Sequence, residues 1–251
     1  QKNNDTCHDF ETDPIQTYVD GEWVRTKGTT LGADNGMGVA AIMAVMEDKT
    51  LKHGPLVGLI TADEETGMYG AFGLKPGTIE GDILLNLDSE EEGELYIGCA
   101  GGEDLTATLQ YKEEETDPTD VALKVTLKGL HGGHSGIQIG CGFANANKLM
   151  ARFLNQVIAY DEACLVSWVG GNMRNAIPRE CEVIITVPET EVDDVIAYVG
   201  ECQQVWQEEF DTIEEGIEFK AERVELPAYM VPEEIRDNLV DAIYACPNGV
   251  E

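Results

Sequence analysis

Carboxylates stand at the ends of short apolar stretches in this chain: Asp34 in LGADNG, Glu64 and Glu65 in ITADEETG, and Asp88 in LLNLDSEEEG. The runs LVGLIT (56–61) and DILLNL (82–87), bounded by glycine and acids, have the pattern of strands covered on both faces. Stacked in a parallel sheet, such strands bring their terminal acids to one edge, where hard oxygen donors suit divalent metal ions. The pattern therefore predicts an α/β layer and, with it, a metal-dependent hydrolase.

The 251 residues, 43% of them hydrophobic, suffice for one large domain or two ordinary ones with real cores. The longest apolar run, 37–46, is far short of a membrane span, and the start, QKNNDTCHDF, lacks the basic-then-apolar order of a secretory signal. A net charge of −32 is spread along the chain, so its surface repels nucleic acid and anionic membranes, and neither is expected as a partner. The acidity reads as a solvated surface, with adaptation to salt a compatible alternative. Seven scattered cysteines form no CxxC pair, which suits buried free thiols in a reducing compartment and hence a cytoplasmic protein.

GTTLGADNGMGVAAIMAVMED predicts a loop entering a helix near Asn35, its small residues suited to close packing on a sheet. The glycines of CAGG (99–102) break the α/β rhythm, so a boundary is placed there, dividing residues 1–100 from 101–251. Beyond it, LTATLQY (105–111) and VALKVTLKG (121–129) alternate as half-buried antiparallel strands, with the acidic KEEETDPTD between them as a turn. Apolar residues recur at helical spacing from Phe143 to Tyr160; strands follow at 165–171 and 181–187, a helix over 191–210, a strand at 217–224 and a closing short helix. From Val121 the order is β, α, β, β, α, β, the ferredoxin-like arrangement.

Two adjacent glutamates at a strand end point different ways, so one can bind metal while its neighbour takes a proton from water. Asp34 lies between Gly32 and Gly36, which permit close approach of a ligand loop, although aspartate also suits a helix N-cap. Asp88 is the acid nearest its strand, and the alternative is that 88–92 is a solvated charge run. In HGGHSG (131–136), His134 among glycines is exposed and mobile enough to reach a ligand and stabilise an oxyanion, though a loop histidine is often merely solvated. GGNMRNAIPRE (170–180) offers asparagines and arginines to a substrate carboxylate.

GADNG, DEETG, NLDSEEEGE, GGHSG and NAIPRE, in this order and spacing, resemble the M20 metallopeptidases, and closely their Xaa-His dipeptidase branch. The resemblance implies part of a zinc-peptidase-like catalytic domain (1–100) followed by a ferredoxin-like α+β lid (101–251) that is incomplete at its carboxyl end. It implies two divalent ions, zinc first with manganese or cobalt as alternatives, and hydrolysis of unblocked dipeptides such as Xaa-His. By position, Asp34 would bridge the metals, Glu65 and Asp88 would be terminal ligands and Glu64 the general base. His134 would polarise the carbonyl, in some relatives from a partner subunit, and Asn175 would contact substrate. A homodimer through the lid is implied as well.

The family also has an HxD motif upstream of the Asp34 position and a histidine near its carboxyl terminus, and neither has a counterpart here. His8 and His53 are read as loop and surface residues. The expectation is an internal piece of a longer peptidase, by itself a weak metal binder and inactive. The alternative is a lid or assembly module without catalysis. A metal-buffering protein is disfavoured, since no repeated carboxylate loops occur.

Overall fold

The computed structural model describes residues 2–89, 91, 93–99 and 101–250. The expected charge run at Glu90 and Glu92 and the Ala100 of the boundary motif lie outside them. The chain divides into two compact units, Gln1–Gly101 and Gly102–Glu251. None of its helices is long and apolar enough to cross a membrane, among the described residues.

The first unit opens with a hairpin, β1 (Thr17–Asp20) and β2 (Trp23–Thr26), in which Asp20 faces Trp23 across a Gly21–Glu22 turn. Gly21 sits at φ 61°, a left-handed value that favours glycine, and glycine at the first position of a two-residue turn is the sequence signal for such a hairpin. Helix α1 (Gly36–Glu47) follows, then two single turns, α2 (Glu64–Gly67) and α3 (Tyr69–Phe72). The expected strands at 56–61 and 82–87 do not form: both segments are irregular, and Ile83 and Leu84 are each 83% exposed. An apolar run becomes a strand only when neighbours take up its backbone hydrogen bonds and both faces are covered, and the described residues of this unit supply neither. The 56–61 segment does run close to α1, since a Cβ on Gly58 would meet Ile42 at 2.9 Å.

The second unit contains a four-stranded antiparallel sheet: β4 (Asp120–Lys128), β6 (Cys164–Gly170), β8 (Cys181–Pro188) and β9 (Glu218–Val224), in the order β6-β8-β4-β9. With α4 (Ala146–Tyr160) after the first strand and α5 (Val192–Glu209) after the third, this is the ferredoxin-like topology. Register follows the alternation, with Leu123 facing Ile185 and Val125 facing Val183. These side chains share one core with Phe153, Leu154 and Val157 of α4 and Val195, Val199 and Trp206 of α5. Each such burial stabilises by about 1.5–3 kcal/mol before the cost of ordering the chain.

Several boundaries differ from expectation. Residues 105–111 form no strand, and Leu105 is 94% exposed. Instead the acidic segment expected as a turn contributes β3 (Glu114–Glu115), which pairs with β10 (Tyr229–Met230). Helix α4 starts three residues later than its apolar pattern, because the Asn145 side chain accepts from the N–H groups of Asn147 and Lys148 and caps it there. The closing helix, α6 (Glu233–Ala245), is held at its end by the Lys148 ammonium, which donates to the carbonyls of Ile243, Tyr244 and Cys246. The cysteines are free but not uniformly buried: Cys181 and Cys202 are, whereas Cys7, Cys99, Cys141 and Cys246 are exposed and Cys164 is intermediate.

Candidate active site

In the first unit the chain gathers acids around the start of α1. The N-cap of that helix is Asn35 and not Asp34: its Oδ1 accepts from the Gly38 N–H at 2.7 Å while its Nδ2 donates to the Leu87 carbonyl at 3.1 Å. A Cβ on Gly38 would meet the Asn35 side chain at 2.5 Å, so glycine there is what admits the cap. The Asp34–Asn35 peptide is cis. The bond to Leu87 holds the segment ending at Asp88 beside Asp34, without the parallel sheet that the apolar runs predicted.

The electrostatics register this gathering. Partial burial pushes the Asp88 carboxyl above the usual aspartate range, and the charge of Asp34, a hydrogen bond with Asp34 and the charge of Glu65 push it further, against a hydrogen bond from Asn35. Carboxylates that repel one another in this way favour a shared proton or a cation. Among the described residues, however, no group of three His, Cys, Asp or Glu side chains converges at ligand spacing.

Glu64 and Glu65 occupy the first turn of α2, not a strand end. Asp63 and Met68 take left-handed conformations (φ 60° and 56°), so the chain reverses twice within six residues. The Gly70 N–H closes this turn on the Ala62 carbonyl at 3.0 Å, and a Cβ at Gly70 would stand 2.6 Å from the Ala62 backbone. Gly70 is thus a shaping residue that the sequence pattern did not single out.

In the second unit, His134 and Asn175 come together. The short strands β5 (Gly133–His134) and β7 (Ala176–Ile177) pair, and the Ser135 N–H donates to the Asn175 carbonyl at 2.8 Å. The His134 N–H donates to Oε1 of Gln138 at 2.8 Å, and the ring Nδ1 accepts from the N–H of Gly136 at 3.0 Å and, more weakly, of Ile137 at 3.3 Å. A ring accepting at Nδ1 carries its neutral-form proton on Nε2, which makes Nε2 a hydrogen-bond donor. His134 is exposed as expected, but its loop is pinned by hydrogen bonds rather than loose. Beside it lies a cavity of about 820 Å³, lined in part by Ser135, Asn145, Asn172, Arg174 and Asn248. Arg174 pairs with Asp104.

Residues 125–213 match the peptidase dimerisation domain of the M20 class. The chain is 46% identical over 250 residues to the cytosol non-specific dipeptidase of Escherichia coli (strain K12), covering 100% of this chain and 52% of that protein. Over 86 residues it is 35% identical to peptidase T of Alkaliphilus oremlandii, covering 32% of this chain and 21% of that protein. Among solved structures, the aminoacylhistidine dipeptidase of Vibrio alginolyticus superposes with a TM-score of 0.60 at 46% identity, over 100% of this chain and 51% of that one. The chain thus spans about half the length of the curated relatives it matches first.

Proposed function

We propose that this chain, whose residues 125–213 match the peptidase dimerisation domain of the M20 class and which is 46% identical to a dipeptidase over 250 residues, is the part of a metal-dependent dipeptidase that carries the carboxylate ligands, the general base and the lid. The observation that carries the reading is the gathering of Asp34, Asp88 and Glu65, close enough for two of them to raise the pKa of the third. Hard oxygen donors whose mutual repulsion a cation would relieve fit divalent ions. Asp34, Glu65 and Asp88 would supply carboxylate ligands to two of them, zinc first and manganese or cobalt as alternatives, with further ligands completing the coordination, since these three do not converge at ligand spacing by themselves. Bound there, the ions supply Lewis-acid polarisation of the scissile carbonyl and of the attacking water.

The chain's own groups do the rest. Glu64 takes a proton from the water as its oxygen bonds to the carbonyl carbon, and returns that proton to the leaving nitrogen as the C–N bond breaks. The Nε2–H of His134 donates to the carbonyl oxygen as negative charge develops on it, and Asn175 contacts the substrate. The substrate is an unblocked dipeptide, Xaa-His among others, and the setting is the cytoplasm. The second unit mediates homodimerisation, a role supported by the domain match. The same match favours one alternative, that these 251 residues alone serve as an assembly module without catalysis. The test is a dipeptidase assay with metal analysis on the protein at its full encoded length. Asp34→Asn and Asp88→Asn should lose metal and turnover together, whereas turnover independent of both acids would overturn the assignment.

A further inference from the structure

We propose that Glu214 is the positioning residue for His134, holding the 131–144 loop closed so that the imidazole presents Nε2–H outward. The inference deepens the reading of His134 as an oxyanion donor and takes the importance of that ring from it. The geometry stands by itself. Glu214 is only 4% exposed, and neither oxygen is spent on solvent: Oε2 accepts from the His131 N–H at 2.5 Å and Oε1 from the Ala144 N–H at 2.8 Å. Those two donors are the two ends of the loop that carries His134. One buried carboxylate therefore fastens both ends, with charge-assisted hydrogen bonds stronger than neutral ones.

The backbone around Glu214 is arranged for this reach. Past the end of α5, the N–H groups of Ile213 and Glu214 both donate to the Phe210 carbonyl, at 2.9 and 2.8 Å, which fixes the turn. Two residues on, Gly216 lies directly against Gly129, where a Cβ on Gly129 would collide with the Gly216 carbonyl. That close approach of two glycines brings the Glu214 turn up to His131. Within the loop, Gly132 and Gly133 adopt φ of 71° and 145°, and the His131 ring stacks on Phe143 at 4.1 Å with 14° between planes. With both ends fixed, the turn from His134 to Ile137 delivers its two N–H groups to Nδ1. The clasp thus acts on the imidazole through the loop, not by contact with it.

The test is nuclear magnetic resonance on the 251-residue chain, reading the His134 tautomer from long-range proton–nitrogen correlations and the exchange of the Gly136 and Ile137 amides. Wild type should show the Nε2–H form. Glu214→Ala should give mixed tautomers and exchange of both amides faster by about tenfold, the factor for losing roughly one charge-assisted hydrogen bond. Glu214→Gln, which retains one acceptor oxygen, should restore part of the protection. Core amides of Leu123, Val125 and Ile185 should stay unchanged, which separates loop release from unfolding. A folded Glu214→Ala chain with an unaltered His134 signature overturns the proposal. If that variant does not fold, an unaltered signature in Glu214→Gln overturns it instead. Should His134 prove dispensable for turnover, the catalytic reading fails while this signature can still hold.

Discussion

The Asn35 side-chain amide donates to the Leu87 carbonyl at 3.1 Å, across 52 residues of chain, and thereby joins the start of α1 to the segment that ends at Asp88. The same side chain caps α1 through Gly38. Asn35→Ala should remove both bonds at once, costing about 1 kcal/mol for the cap alone. Exchange of the Gly38 amide should accelerate, and titration calorimetry should show weaker divalent-ion binding at the acid cluster. Unchanged exchange and affinity would mean that Asn35 organises neither.

Asp88 gives the cluster a pH dependence whose sign is fixed by the direction of its shift. Because burial, then Asp34 and Glu65, raise its pKa in the folded state, the folded chain holds that proton more firmly than the unfolded one. The resulting stabilisation is fully present below the ordinary aspartate pKa and is lost as pH rises through the raised folded value. In metal-free buffer, urea midpoints measured from about pH 3 to 7 should therefore fall less steeply with rising pH in Asp88→Asn than in wild type. Added zinc should offset the loss in wild type and not in the variant.

Thiol reactivity should divide the cysteines by burial. The Cys181 thiol is pushed up to about 12 by burial, and burial raises Cys202 as well, so neither forms much thiolate near neutral pH. Alkylation followed by mass spectrometry should modify Cys7, Cys99, Cys141 and Cys246 in the native chain, and Cys181 and Cys202 only after unfolding. Rapid native labelling of Cys181 would contradict the packing of β8.

The second unit was readable in the sequence because its signals are local and its partners are present. The alternation in β4 and the helical spacing in α4 each state a face, and β8 and α5 are there to cover those faces. The first unit was less readable. Its apolar runs at 56–61 and 82–87 carry a strand pattern whose neighbours do not form, while the hairpin at 17–26 has little sequence signal beyond the single glycine, Gly21, that opens its turn. The acids Asp34 and Asp88 were identifiable from their glycine and strand-end settings, but the Asn35 link that joins them is a tertiary contact with no sequence pattern of its own. Glu214 was illegible for a different reason: it stands in TIEEG, where nothing distinguishes a buried acid from its exposed neighbours.

His134 should act on turnover and leave metal content alone. Its Nε2–H is a donor suited to a developing oxyanion, and the residue lies in a different structural unit from every proposed ligand. In the protein at its full encoded length, His134→Ala should lower kcat by about 100-fold with metal stoichiometry intact, as expected for an interaction made in the transition state. Loss of a metal ion in this variant would make His134 a ligand instead.

In the proposed mechanism the DEETG turn supplies both a ligand, Glu65, and a separate proton acceptor, Glu64. The most direct measurement is kcat for Xaa-His hydrolysis by Glu64→Gln at full encoded length, with bound metal quantified in the same preparation. Removing a general base while keeping its shape should cost at least about 100-fold in kcat, roughly 3 kcal/mol of barrier, with metal content equal to wild type. Wild-type turnover in Glu64→Gln with its metals in place would rule out Glu64 as the general base.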